Sequence, residues 1–187
     1  MLTLTRKITS SEFRVMNFTE QETKEFIFEL INGEIVARNY PSATHQRVLR
    51  DLNRLIDAYI MQHQLGEVLF APFGVVLDDF NDVQPDLMFV QSANQHIIKE
   101  KGIYGVPDLV LEVISPSSVK TDRKTKFRLY EDMGVAEHWI VDTKNQRIDV
   151  YQWQETGYLP VSSATETGVV ESVLLAGFRV NVSKLFA

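Results

Sequence analysis

The chain has 187 residues, 44% of them hydrophobic and 24% charged, and its net charge at pH 7 is −6. This composition is typical of a globular protein, and the length predicts one domain over residues 1–187. The lack of cysteine excludes disulfides, thiolate metal sites and a cysteine nucleophile, and no run of about 18 apolar residues is present to form a membrane-spanning helix. We expect a cytoplasmic protein, because the N-terminus lacks a secretory signal pattern.

The first 40 residues predict a short helix followed by a β-hairpin. The helix is expected over residues 9–16. The pair Asn32 and Gly33 lies between apolar runs at 26–31 and 34–36. An Asn-Gly pair in this position favours a two-residue hairpin turn, because both turn residues need a positive φ angle.

Residues 42–63 carry the clearest helical pattern. One apolar stripe repeats at helical spacing through Val48, Leu52, Leu55, Ile56 and Tyr59. After this helix, residues 68–77 and 86–90 are predicted to be strands.

The second half of the chain alternates strands with a helix. The run at 108–114 is almost continuously apolar, as expected for a strand that is buried on both faces of a sheet. A helix is predicted over 120–133, strands over 137–142 and 148–153, and short strands and turns over 159–186. This order predicts an α/β fold with a central mixed β-sheet flanked by helices.

Three carboxylates in these strands are candidate site residues. Glu112 lies inside the apolar strand, where an ionised carboxylate is costly unless it is paired or binds a metal. A structural ion pair with an arginine is the alternative. Asp108 shares a strand face with Glu112, and Asp86 opens another strand that could bring it close. Converging carboxylates of this kind suit Mg²⁺ or Mn²⁺.

A run of basic residues follows this strand. Between residues 119 and 128 the chain carries one acid, Asp122, and five bases, which are Lys120, Arg123, Lys124, Lys126 and Arg128. Most charged runs form a solvated helix face. Alternatively, one lysine points back to the carboxylates, and Lys126 has a suitable position for this.

Two other candidate residues lie in the first half of the chain. His45 lies at the start of the long helix, where it could simply pack against the preceding loop. Glu34 follows the hairpin turn and could simply be exposed. The sequence contains no glycine-rich phosphate loop and no G-x-S-x-G motif.

Four motifs in order resemble the signatures of the Uma-two family of bacterial endonucleases, within the PD-(D/E)XK or restriction-endonuclease-like superfamily. The motifs are QPDL at 84–87, GVPDLVLEVISPSS at 105–118, DRKTKFRLY at 122–130 and GVAEHWIVD at 134–142. The hairpin at 28–35 and the helix start at 45–48 are also similar to this family. The resemblance implies a restriction-endonuclease-like fold with a central mixed sheet.

The resemblance also implies roles for individual residues. Asp86 matches the acidic residue of the PD motif, and Glu112 matches its second acidic residue. The position that should follow with lysine is Ile114, and in this family the lysine is thought to come from the next helix, where Lys126 matches.

Further positions also match the family pattern. Glu34 resembles an additional acidic residue that some members supply, but Glu29 competes for this assignment. His45 matches a family histidine. Lys120, Arg123, Lys124 and Arg128 are candidate contacts to nucleic acid.

The implied activity is an Mg²⁺-dependent endodeoxyribonuclease, with Asp86 and Glu112 as metal ligands and Mn²⁺ as the alternative ion. The expected partners are nucleic acid, with DNA preferred, and a second copy of the chain in a homodimer. One alternative is a non-catalytic binding or interaction module on a nuclease scaffold. Another is a glycosidase with two carboxylates, but Trp139 and Trp153 lie in apolar strands that are typical of a core or an interface.

Overall fold

The computed structural model describes residues 6–114 and 121–187, with the side chains of residues 121–123 left undescribed. Its helices are α1 (Ser10–Arg14), α2 (Glu20–Glu25), α3 (Ala43–His63), α4 (Phe127–Asp132) and α5 (Val182–Leu185), with a 3₁₀ helix at Ser92–Ile97 and a π-helical turn at Thr121–Lys126. Within the described ranges, no helix combines the length and the apolar character that crossing a membrane requires.

The strands of the first half are β1 (Phe26–Ile31), β2 (Glu34–Asn39), β3 (Gly66–Phe70), β4 (Val75–Asp78), β5 (Asn81–Val83), β6 (Leu87–Gln91), β7 (Ile98–Lys99) and β8 (Gly102–Tyr104). Those of the second half are β9 (Leu109–Ile114), β10 (Glu137–Asp142), β11 (Arg147–Gln154), β12 (Gly157–Thr165), β13 (Val169–Glu171) and β14 (Arg179–Asn181).

These strands form two six-stranded mixed sheets and a small ribbon. The order is β2-β1-β5-β4-β8-β7 in the first sheet and β12-β11-β10-β9-β6-β3 in the second, while β13 pairs with β14. The parallel pairs are β4 with β8 and β9 with β10, and the other named neighbours are antiparallel. The predicted α/β class with flanking helices is therefore confirmed, but the single central sheet that we expected is divided in two.

The second sheet is the middle layer of the fold. Alternate side chains of β6 and β9, such as Phe89 and Leu111, pack with Leu52 and Ile56 of α3 on one face. The residues between them, including Met88 and Val110, face the first sheet and α4. Because strand side chains alternate with a period of two, Asp86 and Glu112 belong to this second face.

Local sequence explains several elements. The hairpin is confirmed, and Asn32 and Gly33 have φ angles of 53° and 78°. Helix α3 begins after Ser42, whose hydroxyl accepts a hydrogen bond from the backbone N–H of His45 at 3.2 Å. The prediction of a short helix near residue 9 is also confirmed, since Thr9 caps α1 in a capping box.

Two predicted elements differ from the structure. The single strand expected over 68–77 is wrong, because β3 and β4 lie in different sheets on either side of Pro72, which has no N–H to donate. The helix expected over 120–133 is a π-helical turn that continues into α4. Residue 120 lies outside the described residues.

Candidate active site

Asp86 and Glu112 are brought together by the pairing of β6 with β9. Leu87 lies opposite Leu111 in this antiparallel pair, so the same register places Asp86 opposite Glu112. Both side chains are buried, with 4% and 1% of their surface exposed. The backbone N–H of Val113 donates a hydrogen bond to Asp86 Oδ2 at 2.8 Å. The two carboxylates therefore sit at one place on the inner face of the middle sheet.

Asp86 is surrounded by positively charged or hydrogen-bonding groups. His45 Nε2 lies 2.9 Å from Asp86 Oδ2, and a guanidinium nitrogen of Arg38 lies 3.8 Å from Asp86 Oδ1. Burial alone would raise the pKa of the Asp86 carboxyl, but the hydrogen bond and charge of His45, with the charges of Arg38 and Lys126, lower it overall. Asp86 is thus held in its ionised form.

Lys126 is buried between two glutamates. Its side chain has no exposed surface, and its Nζ lies 2.9 Å from Glu112 Oε1 and 2.8 Å from Glu29 Oε1. An ammonium group in such a place needs charged partners, because desolvation is otherwise too costly. The hydroxyl of Tyr130, one turn further along, donates to the same Glu112 oxygen at 2.7 Å. The turn into α4 therefore aims Lys126 and Tyr130 at one carboxylate.

The structure places Glu29, and not Glu34, in this group. Glu29 is fully buried in β1, where its Oε1 accepts a hydrogen bond from the backbone N–H of Gln84 at 2.7 Å. Its second oxygen lies 3.5 Å from Arg38 Nε. Glu34 is exposed at the start of β2, directly after the hairpin turn. A carboxylate inside the apolar run 26–31 is the same signal that marked Glu112.

Arg38 and Tyr130 are site residues that sequence reasoning missed. Arg38 lies on the edge strand β2 and also donates to the backbone carbonyl of Gln84 at 2.7 Å. Arg38 and Lys126 place two basic groups beside the three carboxylates of the site. No sequence pattern marks Arg38, and Tyr130 lies in the motif at 122–130 without a pattern that assigns it a role.

His45 approaches the site from α3. Its ring is 4% exposed, and its Nδ1 has no hydrogen-bond partner among the described residues. The alternative of simple packing against the preceding loop does not describe this position, because Nε2 contacts Asp86 directly.

Asp108 does not join the group. It precedes the opposite end of β9, where its carboxylate accepts hydrogen bonds from the backbone and side-chain amides of Gln91 and from Asn94. A strand rises about 3.3 Å per residue, so four residues separate it from Glu112 by roughly 13 Å. A shared strand face was therefore insufficient to place the two side chains together.

The basic side chains between residues 119 and 128 do not all point in the same direction. Lys126 points inwards, whereas Lys124 and Arg128 are exposed and line a surface groove of about 780 Å³ with Asn32 of the hairpin turn. Lys120 lies outside the described residues, and the side chain of Arg123 is not described. The prediction that one lysine points back to the carboxylates is borne out in its geometry, while the contacts to nucleic acid stay a prediction.

A buried histidine lies behind the site. His138 of β10 has no exposed surface, and its ring packs against Tyr130, Phe127 and Tyr158 at centroid distances of 5.1, 5.7 and 5.6 Å. Burial, with a smaller effect of the Lys126 charge, lowers the pKa of His138 to about 3. The imidazole is therefore neutral in ordinary buffers.

The carboxylates provide the donor type that Mg²⁺ prefers. Asp86 and Glu112 supply hard oxygen atoms, and Mg²⁺ is usually held by one or two carboxylates with water completing its shell. Among the residues that the structure describes, no group of three or more histidine or acidic side chains forms a metal cage. The two carboxylates fit a sparsely ligated Mg²⁺ or Mn²⁺, and they do not fit a metal that needs an all-protein cage.

Comparison with known proteins decides the family. The model of the Uma2 family, described as "Putative restriction endonuclease", matches residues 11–183. The chain belongs to the Uma2 family. The expected Uma-two resemblance is thus confirmed, and the match includes every candidate residue described above.

Two individual proteins, one known by sequence and one by its crystal structure, are similar to this Uma2 chain. The "Uncharacterized protein sll1609" of Synechocystis sp. (strain ATCC 27184 / PCC 6803 / Kazusa) is 26% identical over 150 residues, which cover 79% of this chain and 82% of that protein. The crystal structure of "a putative nuclease belonging to DUF820" from Anabaena variabilis ATCC 29413 has a TM-score of 0.74 at 18% identity, covering 96% of this chain and 97% of the other. The second likeness shows that the two chains share the same fold.

Proposed function

We propose that this Uma2 protein is a metal-dependent endonuclease that hydrolyses phosphodiester bonds of nucleic acid, with DNA as the expected substrate. The observation that carries the proposal is the position of Lys126. Its ammonium lies within 2.9 Å of Glu112, while Asp86 is bound to the backbone of the next residue, Val113. Two carboxylates and a lysine from three separate segments therefore meet at one buried place.

In this proposal Asp86 and Glu112 hold Mg²⁺ or Mn²⁺. The bound cation would polarise the scissile phosphate and lower the pKa of an attacking water. His45 and Arg38 keep Asp86 ionised, so that it can act as a ligand at neutral pH. Tyr130 fixes Glu112 through its hydrogen bond of 2.7 Å. These three residues are positioning residues.

Lys126 supplies positive charge beside the reacting phosphate. A fixed ammonium group in a water-poor site stabilises negative charge that develops in the transition state, because little solvent screens it. Its two carboxylate partners compensate the positive charge of this buried ammonium group. Glu29 is in this proposal the acidic residue that the early hairpin contributes.

The chemistry of the site disfavours the glycosidase alternative. Trp139 is fully buried on the α3 face of the middle sheet, which is the face opposite to Glu112. Trp153 is 40% exposed and donates a hydrogen bond from its indole N–H to the backbone carbonyl of Glu131. Neither tryptophan contributes to a sugar-binding cleft beside the two carboxylates.

A cleavage assay tests the proposal. Purified protein is incubated with plasmid, linear duplex DNA and single-stranded DNA and RNA, each with Mg²⁺, Mn²⁺ or EDTA. Cutting that needs the divalent cation supports the endonuclease, and the substrates rank its preference. Failure to cut any substrate, together with no Mn²⁺ binding in calorimetry, contradicts it and favours a non-catalytic module. Homodimer formation, which light scattering would test, stays a prediction.

A further inference from the structure

Lys126 contacts Glu112, the same carboxylate that is proposed to hold the cation. Its Nζ lies 2.9 Å from Glu112 Oε1, on the carboxylate proposed as a metal ligand. Both side chains are buried, so the attraction between them is only weakly screened by water. An ammonium group and a divalent cation therefore compete for the negative charge of the same carboxylate.

Glu29 offers the ammonium a second partner. It lies 2.8 Å from Lys126 Nζ and is held in place by the backbone N–H of Gln84 and by Arg38. Because Glu29 is fixed independently of Glu112, Lys126 keeps a charged partner when its contact with Glu112 is weakened. The ammonium can thus shift its contacts without being left unpaired in the interior.

We propose that Lys126 couples cation binding to phosphate binding in this site. This inference rests on the proposed function and adds that cation binding depends on whether nucleic acid is bound. In the free protein Lys126 neutralises Glu112 and weakens cation binding. A phosphodiester of the nucleic acid attracts the ammonium group and weakens its contact with Glu112. The affinity of the carboxylates for the cation then rises.

Thermodynamic linkage makes this coupling reciprocal. If phosphate raises the cation affinity by some factor, the cation raises the affinity for nucleic acid by the same factor. Couplings of this type amount to about 5- to 150-fold in affinity. The protein alone would then bind divalent cations weakly and acquire them together with substrate.

The first test measures cation binding without nucleic acid. Calorimetry with Ca²⁺ and Mn²⁺ is performed on the wild type, on Lys126→Met and on Lys144→Met, which removes the same charge from an exposed turn. We expect affinity to rise about tenfold or more in Lys126→Met and to stay unchanged in Lys144→Met. Lys126→Gln, which keeps hydrogen-bonding capacity but no charge, is measured as well in case the methionine variant fails to fold. Unchanged or weaker binding in a folded Lys126 variant overturns the proposal.

The second test separates coupling from a general charge effect. Binding of a fluorescent DNA duplex is followed by anisotropy with EDTA or with Ca²⁺. The wild type and Lys144→Met should bind the duplex more tightly with Ca²⁺, and this gain should be largely lost in the Lys126 variants. An equal gain in all variants overturns the coupling but leaves the endonuclease proposal standing. Absence of cation binding in every protein, with and without DNA, contradicts the endonuclease proposal itself.

Discussion

The backbone N–H of Val113 donates a hydrogen bond to the carboxylate of Asp86 at 2.8 Å. This contact links the residue before β6 to β9, next to Glu112. The pairing of these two strands therefore holds Asp86 and Glu112, the two proposed metal ligands, close to each other. The Nε2 atom of His45 lies 2.9 Å from the same oxygen, Asp86 Oδ2. Hydrogen bonds from the backbone of β9 and from α3 therefore orient the Asp86 carboxylate.

The lowered pKa of Asp86 predicts a contribution to acid stability. The folded-state pKa lies below the ordinary value of 3.8, so the ionised carboxylate stabilises the fold above that value and this contribution is lost as the pH falls. Asp86→Asn should therefore lose less stability than the wild type between about pH 5 and about pH 3. Urea unfolding at both pH values measures the difference. Equal losses in the two proteins would show that Asp86 has no such role.

Tyr130 is expected to affect cleavage as well as stability. Tyr130→Phe keeps the ring but removes the hydrogen bond to Glu112, which should cost about 1.5–3 kcal/mol of stability because the acceptor is charged. The loss of a fixed Glu112 orientation should lower kcat about 10- to 100-fold.

Tyr158→Phe is the matched control for Tyr130→Phe. Its hydroxyl donates to the backbone carbonyl of Val135 at 2.9 Å, away from the carboxylates. It should lose about 1 kcal/mol of stability and retain the wild-type kcat. If both variants cut at the wild-type rate, the positioning role of Tyr130 is wrong.

His138 predicts a loss of stability in mild acid. In the unfolded chain this imidazole gains a proton near its ordinary pKa of 6.5, whereas in the fold it stays neutral down to about 3. Stability should therefore fall by about 1.4 kcal/mol per pH unit below 6.5 from this residue alone.

The variant His138→Phe should show a flatter decline of unfolding free energy with falling pH. The exposed His96 provides a control, since His96→Phe should keep the wild-type slope. Urea unfolding across the same pH range measures all three proteins. A wild-type slope in His138→Phe would mean that the acid sensitivity arises elsewhere.

Part of this site could be predicted from the sequence for a clear physical reason. A carboxylate within an apolar strand must be compensated, and this marked Glu112, while the strand that begins at Asp86 had the same character. The position of His45 near the start of α3 followed from helical periodicity. Each of these signals lies in a short stretch of sequence, so it can be recognised without knowledge of the tertiary structure.

Other parts depended on contacts that no local pattern contains. Glu29 lies inside the apolar run 26–31, a local signal that favours it over Glu34, but the sequence does not show that this strand faces the middle sheet. Arg38 reaches Asp86 from an edge strand 48 positions earlier in the chain. The inward direction of Lys126 relative to Lys124 depends on the π-helical turn, which departs from the helical spacing that sequence reasoning assumes.

The most direct test of the endonuclease proposal compares cleavage by the wild type, Glu112→Gln and Glu67→Gln with Mg²⁺ or Mn²⁺. Glu67 is an exposed strand glutamate in β3, so its substitution controls for the change of side chain. With folding verified by circular dichroism, we expect Glu112→Gln to lose nearly all metal-dependent cutting and Glu67→Gln to retain it. Full activity in a folded Glu112→Gln protein would contradict the proposed site.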